Sequence, residues 1–418
     1  MAVDEAFADL WIWDRVGDRL PWYLAVATNR MPAKYLIARR IPCRLEPSAD
    51  EEVLWSEHEE ATRAFLDLWR AVRSGDVRTS EVPPRNPSLL DLSVALVQRM
   101  LRRCRFCRWN CRVDRVDGRK RGTCQLDAVS RVSSYFHHRG EELVFRGVSG
   151  SGTVFFTSCC FRCQFCQNGD ISRDKDNGTP MSPGQLAAIA WDLRTEGAHN
   201  INWVGGEPTI HLHTIIEAIA RLARGPPGRM ELAHARGTKS DDFIARVRRP
   251  ELASFEGEFN APMLWNSNMF MSPETIRLLH PLIDAWLPDF KFGNDGCAIL
   301  LAKTPWYFET VARNHALLGD WGEDVVIRHL VMPGHVECCT RPVLRWIADH
   351  MPGTLVNVMD QYHPDSACDS GSDEYDPRYA AMARRPTDEE IRDAYAAARG
   401  LGLRFEDVTF EKSVRRRA

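Results

Sequence analysis

The sequence predicts an α/β fold in which strand-then-helix units build a partial or full parallel barrel. About six apolar strand patterns alternate with helical patterns after residue 150, and short loops join them. Repeated β-then-α units of this kind are typical of a parallel sheet. Polar residues also collect where the predicted strands end, as in α/β barrels whose chemistry lies at that edge. The chain of 418 residues is long enough to bury a large core.

Composition and charge narrow the class of protein. Hydrophobic content of 44% and charged content of 27% are ordinary for a globular chain. The formal net charge of −3 gives no whole-molecule reason to expect nucleic acid or an anionic membrane as partner. The first seven residues are acidic where a signal peptide would be basic, and no apolar run reaches membrane-spanning length. We therefore expect a cytoplasmic protein whose thirteen cysteines are reduced and serve metal binding.

Changes in composition divide the chain into four predicted parts. They are a helical, aromatic-rich N-terminal extension (1–95), a Cys-rich metal-binding module (96–148), a barrel (149–405) with an insertion at 224–260, and a basic C-terminal tail (406–418). The charged, Gly- and Pro-rich insertion is expected to lie on the surface. Residues 57–72 have apolar side chains at helical spacing, and the nearby tryptophans are expected to pack against the barrel.

The barrel units have recognisable strands and helix starts. The predicted strands are 153–158, 200–204, 263–266, 285–292, 325–331 and 354–359. Helices are predicted between them, and two begin with capping boxes, Ser182 with Gln185 and Thr387 with Glu390. An N-cap hydroxyl and an acceptor side chain three residues later satisfy the first free N–H groups of a helix, so these pairs fix where the helices start.

The first predicted strand ends in a cysteine-rich loop. Cys159, Cys163 and Cys166 have the spacing C-x3-C-x2-C directly after the strand. Cysteine thiolates are ligands for iron–sulfur clusters. Three thiolates can hold three irons of a cubane and leave the fourth iron open for a ligand. The loop is therefore expected to carry an open-site [4Fe–4S] cluster.

Other interpretations of this loop explain its spacing less well. Starting at Cys160 gives C-x2-C-x2-C, but a ferredoxin run needs a fourth cysteine, and Asp170 occupies that position. A structural zinc site would need four closed ligands. Buried free thiols rarely repeat at ligand spacing. The open-site cluster remains the favoured interpretation.

A second set of cysteines lies upstream. Cys104, Cys107, Cys111 and Cys124 fall within twenty-one residues, which indicates a four-thiolate metal site. Zinc and an auxiliary [4Fe–4S] cluster both suit four thiolates, so the choice stays open. The surrounding stretch 99–122 has ten basic and two acidic residues. It could suit RNA or an acidic protein surface, but a solvated basic rim around an anionic metal centre is favoured.

Polar side chains at the ends of the later strands are candidates for a ligand site. Gly205-Gly206 permits close backbone approach, and the carboxylate of Glu207 could hold a ligand ammonium group. Further polar candidates lie in or after the other strands: Asn266, Asn268, Lys291, Arg328 and Asp360. Unpaired buried polar groups are costly, so polar ends on every strand are hard to explain by packing alone.

These motifs together resemble the radical S-adenosylmethionine (SAM) superfamily. Its signature is similar to Cys159-x3-Cys163-x-Phe165-Cys166, and Gly205-Gly206-Glu207-Pro208 looks like its second motif. Within it, the segments 197–202, 287–291 and 327–334 resemble the PflX-like branch related to pyruvate formate-lyase activating enzyme. The likeness covers roughly residues 100–405 and includes the upstream cysteines. Many branch members have a Thr-Pro-Thr-like sequence at the second motif, so SAM contacts here follow the wider superfamily.

The resemblance implies a fold, cofactors and partners. It implies a radical SAM barrel whose cluster, on Cys159, Cys163 and Cys166, binds SAM and cleaves it reductively to a 5′-deoxyadenosyl radical. The radical would abstract hydrogen from a protein or peptide, with a flavodoxin- or ferredoxin-like reductant as partner. The implied SAM or substrate contacts are Phe165, Gly205, Gly206, Glu207, Asn266, Asn268, Lys291, Arg328 and Asp360. The alternatives are radical SAM modification of RNA or a small metabolite, and a non-catalytic iron–sulfur electron-transfer or scaffold protein.

Overall fold

The computed structural model describes residues 11–46, 48–238 and 250–409. The helices are α1 (Trp11–Val16), α2 (Pro21–Ala27), α3 (Lys34–Ala38), α4 (Glu51–Ser74), α5 (Leu89–Arg102), α6 (Leu143–Arg146), α7 (Gly169–Arg173), α8 (Pro183–Thr195), α9 (Leu212–Arg224), α10 (Arg229–Thr238), α11 (Pro273–Leu279), α12 (Asp295–Ala302), α13 (Tyr307–Trp321), α14 (Arg341–His350) and α15 (Asp388–Gly400). The strands are β1 (Ser130–His138), β2 (Ser151–Phe156), β3 (Thr179–Met181), β4 (Ile201–Gly205), β5 (Ser254–Phe255), β6 (Glu258–Phe259), β7 (Met263–Ser267), β8 (Ala285–Pro288), β9 (Val326–Leu330) and β10 (Leu355–Met359).

The sheet is a partial parallel barrel, which confirms the predicted α/β class. Its main ladder has the order β3-β1-β2-β4-β7-β8, and β9 pairs with β10. Parallel bridges between residues 286 and 325 and between 289 and 328 continue the ladder from β8 to β9. The six parallel strands are those that the sequence predicts. Over the described residues the ladder does not return from β10 to the first strands, so the barrel is open there.

The parallel strands form because nearly all of their side chains are buried. Five of the six residues of β2 are buried, as are all five of β7 and of β10. Strands covered on both faces are typical of parallel sheets. The helices that cover them begin where the sequence predicts, since the capping boxes at Ser182 and Thr387 are both formed. Helix α9 buries Ile215 and Ile219 among its apolar side chains.

The N-terminal extension packs on the barrel, as expected for its tryptophans. Trp22 is buried and its indole Nε1 donates to Asp284 at 2.9 Å. The backbone N–H of Tyr23 donates to Asp324 at 2.7 Å. Both carboxyl groups are buried, and burial raises the pKa of Asp284 to about 6 and that of Asp324 to about 7. The extension thus satisfies polar groups that precede β8 and β9.

Two parts of the chain differ from the sequence-based expectation. Strand β1 was not predicted and pairs antiparallel with β2, beside the parallel units. The segment 224–260 was expected to be a surface insertion, but Phe259 and Leu252 are buried in it. The hairpin β5–β6 is bound by Tyr35, whose hydroxyl donates to the carbonyl of Phe259 at 2.7 Å. The few apolar residues of the segment were outweighed in the sequence by its Gly, Pro and charge content.

The remaining expectations concern the domain boundaries, the C-terminal tail and membrane-spanning segments. Helix α5 runs across the domain boundary placed at residue 95, and the four-part division stays a prediction. Most of the predicted basic tail (410–418) lies outside the described residues. Among the helices described, none is long and apolar enough to cross a membrane.

Lys34 provides a test of how the extension is held. Its ammonium contacts both carboxylate oxygens of Glu323 at 2.6 Å, and both side chains are 1% exposed. We expect Lys34→Met to lower the free energy of unfolding by about 3–5 kcal/mol, because it leaves a buried carboxylate without its cation. Urea unfolding followed by tryptophan fluorescence measures the change.

The matched control is Arg63→Met, which breaks an exposed pair with Glu59 at 3.6 Å on α4. Exposed pairs contribute little, so the control should change the free energy of unfolding by no more than about 1 kcal/mol. Equal unfolding midpoints for the two variants would show that the buried pair does not hold the extension.

Candidate functional site

The cysteine loop begins at the carboxyl end of β2. Ser158 takes a φ of 62° and turns the chain out of the strand. Cys159 follows and is buried, whereas Cys163 and Cys166 are half-buried. The strand therefore delivers the three predicted ligands to the edge of the sheet where parallel strands end, and leaves two of them accessible to a cofactor.

Two of the three predicted ligand sulfurs, those of Cys159 and Cys166, have a possible hydrogen-bond donor beside them. Cys159 Sγ accepts from the backbone N–H of Phe161 at 3.3 Å and lies 3.6 Å from Asn268 Nδ2. Cys166 Sγ lies 3.2 Å from the hydroxyl of Ser172. Hydrogen bonds to sulfur are a means by which proteins tune iron–sulfur centres. The donor set therefore fits a thiolate-ligated cluster.

Burial also acts on these thiols. It raises the pKa of Cys163 and of Cys166, while the nearby Lys291 ammonium opposes the shift at both. An isolated buried thiolate is thus disfavoured, and both groups need positive charge beside them to ionise.

Gly205 and Gly206 lie against the start of the cysteine loop. Gly205 has a φ of 124°. A Cβ on Gly206 would lie 1.7 Å from the carbonyl oxygen of Ser158, and one on Gly205 would lie 2.1 Å from the backbone nitrogen of Phe156. Glycine is therefore required by close approach of two backbones. The sequence predicted close approach to a ligand, and that role of the pair stays a prediction.

Glu207 is buried between β4 and β7. Its Oε1 accepts from Ser267 Oγ at 2.7 Å and Thr209 N at 3.1 Å, and its Oε2 accepts from Asn268 N at 2.9 Å. Burial raises its pKa, and these hydrogen bonds oppose the shift. A carboxylate has about four acceptor positions, so three donors leave one for a ligand ammonium group. Binding of SAM by Glu207 stays a prediction.

Asn268 connects the two predicted motifs. Its backbone N–H donates to Glu207, while its side-chain Nδ2 lies 3.6 Å from Cys159 Sγ and 3.4 Å from Cys160 Sγ. Its Oδ1 accepts from Phe270 N at 3.0 Å, which fixes the direction of the amide. The Glu207 carboxylate and the Cys159 sulfur therefore both contact Asn268.

Asn266, Lys291 and Arg328 meet in a largely buried network of charges. Arg328 donates to Asp289 at 3.0 Å and to Asn266 Oδ1 at 2.5 Å, and Lys291 pairs with the other oxygen of Asp289. Burial would raise the pKa of Asp289, but Arg328 and Lys291 outweigh it and lower the pKa. The sequence placed these residues at neighbouring strand ends, and in the structure Arg328 contacts Asn266 directly while Lys291 is joined to Arg328 through Asp289.

Glu141 belongs to the same network but was missed by the sequence analysis. It lies after β1 and its Oε1 is 3.8 Å from Arg328 Nη1, while Oε2 accepts from Asn202 at 2.7 Å. Burial would raise its pKa, but hydrogen bonds and the Arg328 charge lower it. No local pattern marks Glu141, because it joins the site through the antiparallel strand that was not predicted.

Phe165 and Asp360 lie near β10, at the edge of the barrel where the parallel strands end. The ring of Phe165 packs against those of Phe292 and Tyr362, with centroids 6.2 and 5.8 Å apart. Asp360 directly follows β10 and is buried. Phe165 thus anchors the cysteine loop in an aromatic cluster. Contacts of either residue with SAM stay predictions.

The upstream cysteine module lies directly on the cysteine loop. Trp109 Nε1 donates to the carbonyl of Cys160 at 2.9 Å, and Ser158 Oγ donates to that of Cys124 at 2.7 Å. The four module cysteines line one small enclosed cavity, together with Phe106, Asn110, Val113, Arg115, Gly122, Thr123 and Ile210. Four thiols around one cavity fit a metal group, and zinc and an auxiliary cluster both remain open. Either metal group would lie beside the cysteine loop that begins at Cys159.

The basic stretch 99–122 is substantially neutralised. Arg105 pairs with Glu51, Arg121 with Asp127 at 3.3 Å, and Arg108 with Glu309 at 3.3 Å. Arg115 is 1% exposed and donates to the carbonyls of Asp127 and Ile210. These contacts agree with the favoured interpretation, a basic rim around a metal–thiolate site. They leave few cations of this stretch free to bind the phosphates of RNA.

A partial β/α barrel with a three-cysteine loop after its first parallel strand defines a class of iron–sulfur proteins that bind SAM at the strand ends. The family model described as the radical SAM superfamily matches residues 153–347. The chain belongs to the radical SAM superfamily. Membership implies an enzyme with a [4Fe–4S] cluster and SAM as cofactors.

Proteins similar to this chain include one relative and two solved structures. The uncharacterized protein MJ0674 of Methanocaldococcus jannaschii is 33% identical over 392 residues, which are 92% of this chain and 98% of that protein. A domain of a pyruvate-formate lyase-activating enzyme from Bacteroides vulgatus has a TM-score of 0.32 at 14% identity, over 49% of this chain and 96% of that domain. Streptococcus suis SuiB, bound to its precursor peptide SuiA, has a TM-score of 0.36 at 14% identity. That match covers 60% of this chain and 46% of SuiB, so it spans under half of SuiB.

The two neighbouring cysteines, Cys159 and Cys160, allow a test of the ligand spacing. Cys159→Ala should remove the cluster iron, because it deletes one thiolate of C-x3-C-x2-C. Cys160→Ala is the matched control, since Cys160 is buried in the same loop and outside that spacing. Iron and acid-labile sulfide of anaerobically reconstituted protein give the result. Iron lost from the Cys160 variant and kept in the Cys159 variant would assign the cluster to C-x2-C-x2-C instead.

Proposed function

We propose that this chain cleaves SAM reductively and uses the resulting radical to abstract hydrogen from a protein or peptide. The observation that carries the proposal is the position of Asn268, which contacts both the Cys159 sulfur and the Glu207 carboxylate. A ligand whose amino group binds Glu207 would be held beside the cysteine loop. That is the juxtaposition that SAM needs to meet an open iron.

The residues of the chain would hold and shield the cofactors. When bound, the cluster and SAM supply reductive cleavage to methionine and a 5′-deoxyadenosyl radical, with one electron from a flavodoxin- or ferredoxin-like donor. Cys159, Cys163 and Cys166 ligate the cluster, and Glu207 orients the SAM ammonium group. The Arg328–Asp289–Lys291 network provides fixed charges for the polar parts of SAM or substrate. Because these groups are already paired and oriented, they need no rearrangement during the reaction.

An acidic groove beside the cysteine loop supports a peptide or protein substrate. The groove has a volume of about 700 Å³. It is lined by Gln167, Gly169, Asp170, Arg173, Asp174, Asp365, Ser366, Asp369, Ser372 and Glu374. Its wall is tied to the cluster loop, since Arg173 donates to the carbonyl of Cys163 at 2.9 Å.

The charge of this groove favours a cationic segment over a nucleic acid. Five of the lining side chains are carboxylates and one is a guanidinium, which pairs with Glu374. Such a wall repels phosphates and attracts Lys and Arg side chains. Together with the motif resemblance to activating enzymes, it supports a basic peptide or protein segment as substrate over RNA.

Cleavage of SAM is the first test of this function. Reconstituted protein with dithionite and SAM should release 5′-deoxyadenosine and methionine, and Cys166→Ala should abolish the release because the cluster lacks a ligand. Liquid chromatography with mass detection measures both products. An intact cluster that gives no 5′-deoxyadenosine would favour the iron–sulfur carrier instead.

Charge removal from the groove tests the substrate class. We expect Asp365→Asn with Asp369→Asn and Glu374→Gln to weaken binding of lysine-rich peptides at least tenfold at low salt, and to flatten its salt dependence. Uncoupled SAM cleavage should be unchanged, since these residues do not hold the cofactors. Fluorescence anisotropy with a labelled peptide measures binding.

The control carries Glu59→Gln, Glu60→Gln and Asp67→Asn, three exposed acids on α4. It removes the same charge far along the chain from the groove and should leave peptide binding unaltered. Equal weakening in both triple variants would mean that net charge, and not the groove, attracts the peptide.

A further inference from the structure

A third group of metal-ligating side chains lies outside the sites described so far. It consists of Cys297, His335, Cys338 and Cys339. Cys297 is on α12, and the other three lie in and just before a π-helix at Val336–Thr340. Residues far apart in the chain therefore meet at one place.

The four potential ligand atoms are compact. Cys297 Sγ lies 3.7 Å from both Cys338 Sγ and His335 Nδ1, and His335 Nδ1 lies 3.2 Å from Cys338 Sγ. Cys339 Sγ is 4.0 Å from Cys338 Sγ and from His335 Nδ1. All four atoms lie within 4.8 Å of one another, and within the described ranges this is the one set of three or more that does.

Five of the six separations are 3.2–4.0 Å, which is close to the ligand spacing around one tetrahedral ion. Zinc–sulfur bonds of about 2.3 Å and zinc–nitrogen bonds of about 2.0 Å place tetrahedral ligands about 3.5–3.8 Å apart. A cubane needs each thiolate on a different iron, and its ligands lie further apart than those of a single ion. The compact set is therefore built for one ion and not for a cluster.

The Asn294 side chain and close packing at Gly293 hold together the two loops that carry the ligands. Asn294 caps α12 by accepting from Cys297 N at 2.8 Å, and its Nδ2 donates to the carbonyl of Cys338 at 2.9 Å. A Cβ on Gly293 would lie 2.6 Å from that same carbonyl oxygen. The loops after β8 and β9 thus approach as closely as the chain allows. Asn294 Nδ2 also lies 3.4 Å from Cys297 Sγ, where it could stabilise a thiolate.

We propose that Cys297, His335, Cys338 and Cys339 bind one zinc ion in a closed Cys3His site. Three sulfurs and one imidazole nitrogen are a structural zinc ligand set, and four protein ligands leave no open position for chemistry. The ion would tie the loop after β8 to the loop after β9, at the edge of the barrel that carries the candidate active site. This site is independent of the proposed function, because none of its ligands belongs to the cysteine loop or the upstream module.

Metal analysis of the full-length protein tests the site. Wild-type protein and the Cys297→Ala/Cys338→Ala variant are purified anaerobically, and their zinc, iron and sulfide are measured. We expect the variant to lose one zinc per chain and to keep its iron and sulfide. Cys43→Ala is the control, because Cys43 is half-buried like Cys297 and Cys338 but lies outside every cysteine set. Zinc bound at the upstream module would be present in both proteins, so it would not affect the difference in zinc content between wild type and the double variant.

A second variant decides the matter if the double variant does not fold. His335→Cys keeps four ligands but changes the shell from three sulfurs and one nitrogen to four sulfurs. Loaded with cobalt in place of zinc, it should keep one tetrahedral ion at this site with stronger and shifted thiolate-to-cobalt absorption than wild type. Wild-type protein with zinc at this site should also melt at a higher temperature than wild-type protein from which a chelator has removed the zinc.

Four outcomes would overturn the proposal. The double variant could keep all its zinc, or lose iron and sulfide instead of zinc. The His335→Cys spectrum could be identical to that of wild type, which would show that position 335 does not ligate the ion. A Cys297–Cys338 disulfide in the anaerobically purified protein, detected as a loss of two hydrogens in its mass, would also count against it.

Discussion

The site depends on one contact between backbones, where the end of β4 meets the start of the cysteine loop. Gly206 N donates to the carbonyl of Phe156 at 2.8 Å, and its Cα faces the carbonyl of Ser158. A side chain at position 206 would force the loop away from Glu207. The chain therefore brings the cysteines and the carboxylate together by main-chain packing. Pre-assembly of this kind lowers the cost of ordering the site when a ligand arrives.

Two charged regions lie at the edge of the barrel where the parallel strands end, and they differ in burial and pairing. On one side, Arg328, Asp289 and Lys291 are largely buried and pair with one another and with Glu141. Buried charges are expensive unless they are paired and hydrogen-bonded, and the charges of this network are both. On the other side, the groove carboxylates remain open to solvent. A fixed, balanced network suits a cofactor of constant structure, and an exposed acidic wall suits a flexible basic chain.

The sequence predicted what is local. The six parallel units, both capping boxes and the C-x3-C-x2-C loop all follow from spacing within a few residues, and the strand ends follow from them. What it missed is non-local. Strand β1 gave no clean alternation of apolar and polar residues, and it pairs antiparallel beside a parallel sheet. Glu141 joins the Arg328 network only through that strand. The buried part of 250–260 was hidden because its apolar residues are few and separated by charges.

The cysteines show the same difference between local and non-local information. Cys159 and its partners, and the four cysteines of the upstream module, are close in sequence, so their spacing alone points to metal. Cys297 lies 38 residues before His335, and only the parallel register of β8 and β9 brings them together. The two loops that they join follow β8 and β9. Lys291 lies in the first of these loops, and Arg328 lies in β9 itself. In the proposed zinc site, the ion would therefore fix the separation of those two cations. A structural metal would then act on the Arg328–Asp289–Lys291 network without contacting it, because loops that cannot separate hold the charges between them at a constant distance.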